Sequence, residues 1–420
     1  MAFEDEEEET LGTLGTKKGI KILPIGIGQG GSKLTQTIGI KNDCKSSCVY
    51  INTSTSDIDG LELTGNEVTR TISIGARKGD YKKDSEGNVL TDAAGNPIPI
   101  EEIDGAGKDR KVSYEYFKMH VSDYVDQLKK YLFEEPHDII FLSFSTAGGT
   151  GSGIGPKLTK VLSSINILDE VERKTGKRPI VFGVAELPEL DSSKEGSISY
   201  ENTLEAINEI NDIINPKDGG QPLARFIFVN NSYNKSKFSI HSEQLRGVND
   251  AVSDVIKRYT TSFGVSRKGI LDRSDRLNAM KVMGVHAFMT FDGNGNRVDS
   301  PFVIPDGERV KRCCYEVPEN AETIVSKVIA STGCGYDDIV HGFYDSETMN
   351  PIIAFHGFRN VSKIAEQYDK RLKQLHENQT RIETDNIYSA TGLNDVANEK
   401  ARRDSEYGAS GAVGSVEDLF

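Results

Sequence analysis

The chain has 420 residues, of which 36% are hydrophobic and 27% are charged, so it is long enough for two core-bearing domains with polar extensions. Its net charge of −14 argues against direct nucleic-acid binding by the body of the protein. The chain shows neither an apolar stretch long enough to span a membrane nor a signal-peptide pattern, so we expect a cytoplasmic protein with no membrane partner.

The first half of the chain alternates between two kinds of apolar pattern. An acidic stretch from Glu4 to Glu9 predicts a solvated arm. Apolar runs typical of buried strands then alternate with helical spacings, which predicts an α/β fold with a doubly wound parallel sheet. Polar residues 76–110 contain turn signals at Gly87 and Gly95 and predict a hairpin insertion. Strands are predicted at 20–27, 48–52, 138–144, 179–184 and 225–229, and helices at 32–40, 112–132 and 198–214 and after residue 153.

The second half predicts a long central helix and a smaller domain. Apolar residues from Leu245 to Ile256 recur at helical spacing. Strands at 280–291 and 351–358 predict a second, mixed α/β domain, and residues 359–385 have the spacing of a long helix. The predicted parts are an acidic arm, a nucleotide domain, the central helix, the second domain, an extended C-terminal helix and a flexible tail, at 1–18, 19–239, 240–265, 266–358, 359–404 and 405–420.

A glycine-rich turn follows the predicted strand 138–144 and opens a helix. Its glycines allow the main chain to approach a phosphate, and the helix N-terminus adds partial positive charge. Two hydroxyl groups add further donors, so the segment predicts a nucleotide-phosphate cradle. A merely flexible glycine-rich loop is the alternative, and the absence of a following Gly-Lys-Ser/Thr excludes a Walker loop. The turn comprises Gly148, Gly149, Thr150, Gly151, Ser152 and Gly153.

A second glycine-rich segment follows the first strand. Gly26, Gly28 and Gly31 fit the pattern of a dinucleotide-binding site, which is a competing interpretation. That site also requires an acid at the end of the second strand, where this chain has Asn52-Thr53-Ser54. Two glycine cradles at one sheet edge suit a triphosphate better than a dinucleotide.

The order GGTGSG resembles the signature of the tubulin/FtsZ superfamily, and several other segments resemble that family's loops in the same order. The resemblance implies roles in nucleotide binding for a first glycine loop, a second loop, a loop that senses the terminal phosphate, and a ribose-contacting segment. These segments are Gly28-Gln29-Gly30-Gly31, Asn52-Thr53, Gly105-Ala106-Gly107 and Glu201-Asn202. The acid that follows the second loop in FtsZ is replaced here by Ser54.

The resemblance assigns base recognition to two asparagines. Asn230 or Asn231 matches the first, and Asn249 on the central helix matches the second. A carboxamide offers a donor and an acceptor together, which suits the edge of guanine. The aromatic residue that stacks on the base in the family is replaced by Leu245.

The resemblance also implies a catalytic loop after the central helix. Asp272 and Asp275 match two acids that enter the nucleotide pocket of the next subunit in the family. Ile270 replaces the asparagine that is common before the first acid. Carboxylates can orient and polarise the water that attacks the γ-phosphate.

The family implies a GTPase that binds GTP or GDP, with Mg²⁺ held mainly by the phosphates and no direct protein ligand for the metal. It implies self-association head to tail into dynamic filaments. The extended helix and short tail are more like phage and plasmid tubulins (TubZ, PhuZ), which implies a DNA-binding adaptor or phage or plasmid cargo in a bacterial cytoplasm. The alternatives are a dinucleotide-dependent enzyme, an FtsZ of the cell-division type and a filament protein that does not hydrolyse GTP.

Overall fold

The computed structural model describes residues 19–390, apart from 62, 85, 101–103, 193–194, 218, 234, 262–272, 292–299, 306–308, 319–321 and 345–351. The predicted acidic arm and flexible tail therefore lie outside the described residues. The chain divides into two units, Met1–Tyr368 and Asp369–Phe420. None of the helices in the described part has the length and apolar character that crossing a bilayer requires.

In its described residues, the first unit is built on one sheet of ten strands in the order β3-β2-β1-β4-β5-β6-β7-β10-β8-β9. All pairs from β3 to β7 are parallel, β10 is antiparallel to both of its neighbours, and β8 and β9 are again parallel. The predicted doubly wound parallel sheet is confirmed. The strands are β1 (Ile22–Ile27), β2 (Val49–Asn52), β3 (Thr71–Ser73), β4 (Ile139–Ser145), β5 (Ile180–Leu187), β6 (Arg225–Asn230), β7 (Gly284–Thr290), β8 (Arg309–Pro318), β9 (Gly335–Tyr344) and β10 (Ile352–Phe358).

Helices cover the sheet and bury its central strands. Every residue of β1 and β5 is buried, which explains why these strands are continuous apolar runs without alternation. The helices are α1 (Gly28–Lys41), α2 (Thr55–Asp59), α3 (Arg110–Met119), α4 (Val121–Glu134), α5 (Gly149–Leu162), α6 (Ile165–Thr175), α7 (Ser197–Ile214), α8 (His241–Thr261), α9 (Arg273–Met280), α10 (Glu322–Ser331) and α11 (Ser362–Ala390).

The central helix is α8, close to its predicted bounds. Its residues Val248, Val252 and Ile256 are buried in the same core as Leu34 and Ile38 of α1. The apolar spacing of α8 therefore packs this helix beside α1. The strands beyond α8 extend the sheet of the first half through the pairing of β6 with β7, and the division into two domains stays a prediction.

Two predicted elements differ in the structure. The single helix predicted over 112–132 is two helices, α3 and α4, separated at His120, whose φ of −131° is not helical. The strand predicted over 280–291 begins only at Gly284, because the residues up to Met280 belong to α9. Gly284 has a φ of +113°, and a Cβ there would lie 2.6 Å from the main-chain oxygen of Phe358.

The hairpin insertion has the predicted turns. Antiparallel bridges join Tyr81 to Pro99, Lys83 to Val89 and Thr91 to Pro97. An aspartate stabilises each turn by accepting main-chain hydrogen bonds from residues two and four positions later. Gly87 and Gly95 supply the positive φ angles that these turns require.

The long C-terminal helix is also present. It begins at Ser362 and, within the first unit, Ile364 and Tyr368 are buried. The Tyr368 hydroxyl donates a hydrogen bond of 2.7 Å to the main-chain oxygen of Pro188. The second unit is described as the remainder of this helix, from Asp369 to Ala390, and residues 391–404 lie outside the described part.

A pair of buried histidines joins β7 to β10. The Nδ1 atoms of His286 and His356 are 2.7 Å apart, and neither side chain is exposed. His286 Nε2 donates to the main-chain oxygen of Val282 at 2.8 Å, so in the neutral ring its Nδ1 accepts from His356. His356 Nε2 then accepts from the Tyr259 hydroxyl 3.3 Å away. Both rings are therefore satisfied in this neutral arrangement.

This pair predicts that acid destabilises the fold. Burial lowers the pKa of His356 to about 3 and the pKa of His286 well below its ordinary value. The unfolded chain therefore takes up protons below its own histidine pKa of about 6.5 that the folded chain cannot take up. The free energy of unfolding should fall by about 1.4 kcal/mol per pH unit for each histidine as the pH drops from about 6 to about 4.

Urea unfolding of the wild type and a His286→Phe/His356→Phe double variant measures this slope. The double variant should have a shallower pH dependence, whereas His376→Gln, at an exposed histidine of α11, should match the wild type. Equal slopes in the wild type and the double variant would contradict the assignment.

Candidate functional site

A cavity of about 530 Å³ lies at the carboxyl ends of the parallel strands. It is centred where the strand order reverses, because β2 and β3 lie on one side of β1, and β4, β5 and β6 lie on the other. Open parallel sheets bind ligands at this switch point. The volume lies within the range of small-molecule sites.

Most of the predicted site residues line this cavity. They come from α1, the loop after β2, the loop before α3, the turn between β4 and α5, the end of β6, and α8. The predicted residues that line it are Gly28, Gln29, Gly30, Thr53, Gly105, Ala106, Gly107, Gly148, Gly149, Thr150, Gly151, Asn231 and Asn249. Leu245 lines it as well, one helical turn before Asn249.

The two glycine loops pack directly against each other. Gly28 has a φ of +71°, and a Cβ there would lie 3.1 Å from the main-chain nitrogen of Gly151. A Cβ at Gly151 would lie 2.6 Å from the main-chain oxygen of Ser145, and one at Gly149 would lie 2.8 Å from the Cβ of Ala106. Helices α1 and α5 begin at these loops, so two helix N-termini meet at one cavity. Such an arrangement favours a polyanion.

Three of the other predicted residues stabilise the cavity loops through hydrogen bonds to main-chain atoms. Asn52 Oδ1 accepts from the main-chain nitrogen of Thr53 at 2.8 Å. Asn202 Nδ2 donates to the main-chain oxygens of Lys108 at 2.7 Å and of Ala147 at 3.2 Å. The Ser152 hydroxyl donates to the main-chain oxygen of Gly148. These side chains shape the loops and do not line the cavity.

The remaining predicted binding residues also lie outside the cavity lining. Gly31 and Gly153 allow α1 and α5 to approach main-chain atoms of β4 and α3 closely, where a Cβ would collide. Asn230, the last residue of β6, accepts from the main-chain nitrogen of Ser232 at 2.8 Å through Oδ1, and it is the next residue, Asn231, that lines the cavity. Glu201 lies on α7, whereas Glu195, before that helix, lines the cavity.

Hydroxyl and charged groups connect the loops. The hydroxyls of Thr53 and Thr150 are 2.6 Å apart, which links the loop after β2 to the first turn of α5. Arg110 is buried and donates to the main-chain oxygen of Ser152 at 2.9 Å. It also forms ion pairs with Glu205 at 2.6 Å and Glu209 at 2.9 Å. Arg110 thereby fixes α3, which follows one cavity loop, to α5 and α7.

An acidic side chain lies at the cavity three residues after Ser54. The Ser54 hydroxyl caps α2 by accepting from the main-chain nitrogen of Asp57 at 3.2 Å. Asp57 lines the cavity and accepts from Asn52 Nδ2 at 3.2 Å. The pattern Ser-x-x-Asp is a helix-capping signal, so the sequence contained a cue for this acid three residues after Ser54. Lys33, Asp104, Glu186, Glu189 and His241 also line the cavity and were not predicted, and Lys108 lines it beside Gly107.

The described part of the predicted acid loop begins with α9, at the other edge of the sheet. Asp272 is outside the described residues, and Asp275 is in the first turn of α9 and does not line the cavity. Arg273, at the start of α9, forms an ion pair with Asp138, which immediately precedes β4. Because the cavity lies beyond the other end of β4, a strand of seven residues separates the two places, or about 23 Å.

Asp138 is a fixed anchor for the start of α9. Its side chain is buried, and burial alone would raise its pKa, but hydrogen bonds from Lys177, the main chain of Lys21 and Arg273 hold that pKa below its usual range. The Lys177 ammonium lies 2.5 Å from Asp138 Oδ1, and the Lys21 main-chain nitrogen lies 2.8 Å from Oδ2. The charge that holds Arg273 therefore persists at neutral pH.

No protein-family model and no curated protein matches the sequence, but solved structures match its fold. TubZ of Clostridium botulinum phage c-st is 16% identical, with a TM-score of 0.59 over 86% of this chain and 100% of that one. The chain has the tubulin/FtsZ fold. A GTPγS-form protofilament of TubZ from Bacillus thuringiensis serovar israelensis is 15% identical, with a TM-score of 0.60 over 89% of this chain and 95% of that one. A GTPγS-bound protofilament of CetZ2 from Haloferax volcanii is 16% identical, with a TM-score of 0.57 over 87% and 100%.

The packing of the glycine loops makes a prediction about stability. Gly151→Ala should lower the free energy of unfolding by roughly 1–3 kcal/mol, because the new Cβ collides with main-chain atoms of β4. Gly148→Ala should leave it unchanged or slightly raise it, because a Cβ there has no neighbour within 4 Å and the φ is −85°. Urea unfolding of the two ligand-free variants measures the difference. Equal stabilities would contradict the contact between Gly151 and β4.

Proposed function

We propose that this protein is a GTPase of the tubulin/FtsZ type that assembles head to tail into filaments. The observation that carries the proposal is the cavity at the β1/β4 switch point, where two glycine-rich helix N-termini meet within this fold. The two protofilament structures with the same fold contain GTPγS. We extend to this chain both the bound nucleotide and the protofilament assembly of those two structures.

The nucleotide lies with its phosphates on the glycine loops and its base toward α8. The main-chain N–H groups of Gly149 and Gly151 and the Thr150 hydroxyl are donors for the phosphates. Asn231 and Asn249 line the base end, and Asn231 Oδ1 is buried without a hydrogen-bond partner in the described residues. Such an acceptor suits an N–H group of guanine.

A Mg²⁺ ion would take most of its ligands from the phosphates and from water. Among the described residues, no group of three His, Cys, Asp or Glu side chains is placed to hold a metal. Asp57 and Asp104 line the cavity as individual carboxylates. Magnesium binds readily through one or two carboxylates together with substrate phosphates, so the residues present fit this ion.

Hydrolysis requires two subunits in this proposal. Asp275 lies in α9, which begins at the amino edge of the sheet, whereas the cavity opens at the carboxyl edge. One subunit therefore cannot bring its own Asp275 to its own cavity. A second subunit, stacked head to tail, presents its acid loop to the cavity of the first. This contact joins two different surfaces and does not close on itself, so it generates a filament. Asp272 and Asp275 then orient the attacking water.

The cargo of the filament is the most distant part of the proposal. One relative by fold is a TubZ of a bacteriophage, and this favours phage or plasmid DNA as the cargo. The net charge of −14 disfavours direct contact with DNA, so a DNA-binding adaptor would link the two. Pelleting of filaments with and without candidate adaptors encoded beside this protein tests that link.

The cavity predicts a variant that loses the nucleotide and keeps the fold. Gly148→Val places a branched side chain in open space at the cavity, where GTP phosphates would lie. GTP affinity should fall by about 100-fold or more, because the phosphates lose their close approach to the main chain. Fluorescence titration with a labelled GTP analogue measures it. Gly196→Val is the matched control, because Gly196 has a φ of −84° and a Cβ there has no neighbour within 4 Å. Gly176→Val is unsuitable, because Gly176 has a φ of +74°. Undiminished affinity in Gly148→Val would contradict the placement of the phosphates.

The acid loop predicts hydrolysis that depends on assembly. Asp275→Ala should retain GTP binding and filament formation but lower turnover about 100-fold or more, because the attacking water loses its orienting carboxylate. Phosphate release and electron microscopy on the same samples measure both properties. Asp254→Ala, at an exposed acid of α8, should match the wild type. Full-rate hydrolysis at protein concentrations too low for assembly would sink this mechanism.

A further inference from the structure

One acid of the cavity is buried and has a carboxylate oxygen without a hydrogen-bond partner among the described residues. Glu186 is the penultimate residue of β5 and lines the cavity, although only 4% of it is exposed. Its Oε1 atom has no hydrogen-bond partner in the part of the chain that the structure describes. A buried carboxylate oxygen without a donor is unfavourable. Glu186 is therefore placed to accept hydrogen bonds from a molecule that enters the cavity.

The carboxylate of Glu186 lies next to the start of α1. A Cβ at Gly30 would lie 3.5 Å from Glu186 Oε2, which is an ordinary contact distance. Burial raises the pKa of Glu186 to about 7, and the positive charge of Lys33 opposes part of that rise. A substantial fraction of Glu186 is thus ionised at neutral pH and gains from added donors.

The position of β5 limits which donors Glu186 can meet. This strand lies between β4, which leads into the glycine turn, and β6, which is followed by Asn231. A carboxylate repels phosphate groups, so Glu186 suits the nucleoside half of a nucleotide. The donors in that half are the ribose hydroxyls and the N–H groups of the base. Guanine presents N1–H and a 2-amino group where adenine presents an acceptor.

We propose that Glu186 contacts the nucleoside and selects it by accepting hydrogen bonds from its O–H or N–H donors. This inference rests on the proposed nucleotide binding and adds a contact that neither the glycine loops nor the asparagines supply. The Glu186 carboxylate would raise the affinity of the cavity for a nucleoside that carries these donors relative to one that lacks them.

Analogue binding to the wild type and to Glu186→Met tests the inference, because methionine has a similar length but no strong acceptor. Calorimetry on the full chain gives dissociation constants for GTP, ITP, ATP, 2′-deoxyGTP and 3′-deoxyGTP. The wild type should discriminate against at least one analogue by about 10-fold or more, and Glu186→Met should lose that discrimination. Loss against ITP or ATP assigns the contact to the base, and loss against a deoxy analogue assigns it to the ribose. Equal ratios in both proteins would overturn the inference.

Two controls separate the possible failures. Glu186→Met should be at least as stable to urea as the wild type when no ligand is bound, because it removes an unpartnered buried carboxyl group. Glu172→Met, at an exposed acid of α6 that pairs with Arg178, should leave all the constants unchanged. A wild type that binds none of the nucleotides overturns the proposed function and this inference together. A wild type that binds GTP with ratios unaffected by Glu186→Met overturns the inference alone.

The pH dependence of GTP affinity provides a second readout. Protonation removes the acceptor, so affinity in the wild type should fall roughly 5- to 10-fold between about pH 7.5 and about pH 6 relative to Glu186→Met. The other charged or titratable side chains that line the cavity are Lys33, Asp57, Asp104, Lys108, Glu189, Glu195 and His241. They are common to both proteins, so the difference between the two profiles isolates Glu186. Identical profiles would count against the contact.

Discussion

The close contact between two main-chain turns organises this protein. Gly28 at the start of α1 and Gly151 in the first turn of α5 approach so closely that a Cβ at either position would meet main-chain atoms. This contact brings two helix N-termini to one point at the carboxyl edge of the sheet. The partial positive charge of both helices then acts on the same small volume. The other cavity loops are arranged around that volume.

The parallel sheet determines how far apart the two halves of the proposed reaction lie. In a parallel sheet all carboxyl ends share one edge, so the cavity and the anchor at Asp138 are separated by the full length of β4. The ion pair of the buried Asp138 carboxylate with the half-exposed Arg273 holds the start of α9 at the opposite edge. Because the strands are rigid and buried, no side-chain movement closes this distance. In the proposed mechanism the cavity and the acid loop therefore belong to different subunits.

The charge of the cavity is uneven in a way that suits a nucleotide. The glycine turns contribute N–H groups and no carboxylate, whereas the segment from the end of β5 to α7 contributes Glu186, Glu189 and Glu195. Glu189 is paired with Lys235, but Glu186 is buried without a partner for Oε1 in the described residues. A polyanion at one end and a donor-rich group at the other would satisfy both halves. A uniformly charged ligand would not.

The sequence by itself determined the doubly wound sheet, the long central helix and the two glycine turns, because strand runs, helical spacing and glycine patterns are local properties of the chain. It did not determine which side chains face the cavity. The fold places Glu195 there in place of Glu201, selects Asn231 from the two predicted asparagines, and adds Asp57 after a capping turn at Ser54. These outcomes depend on strand register and on hydrogen bonds between segments far apart in the chain. Only the tertiary structure specifies those contacts, because a local pattern determines whether a segment forms a helix, a strand or a turn but not how distant segments pack against one another.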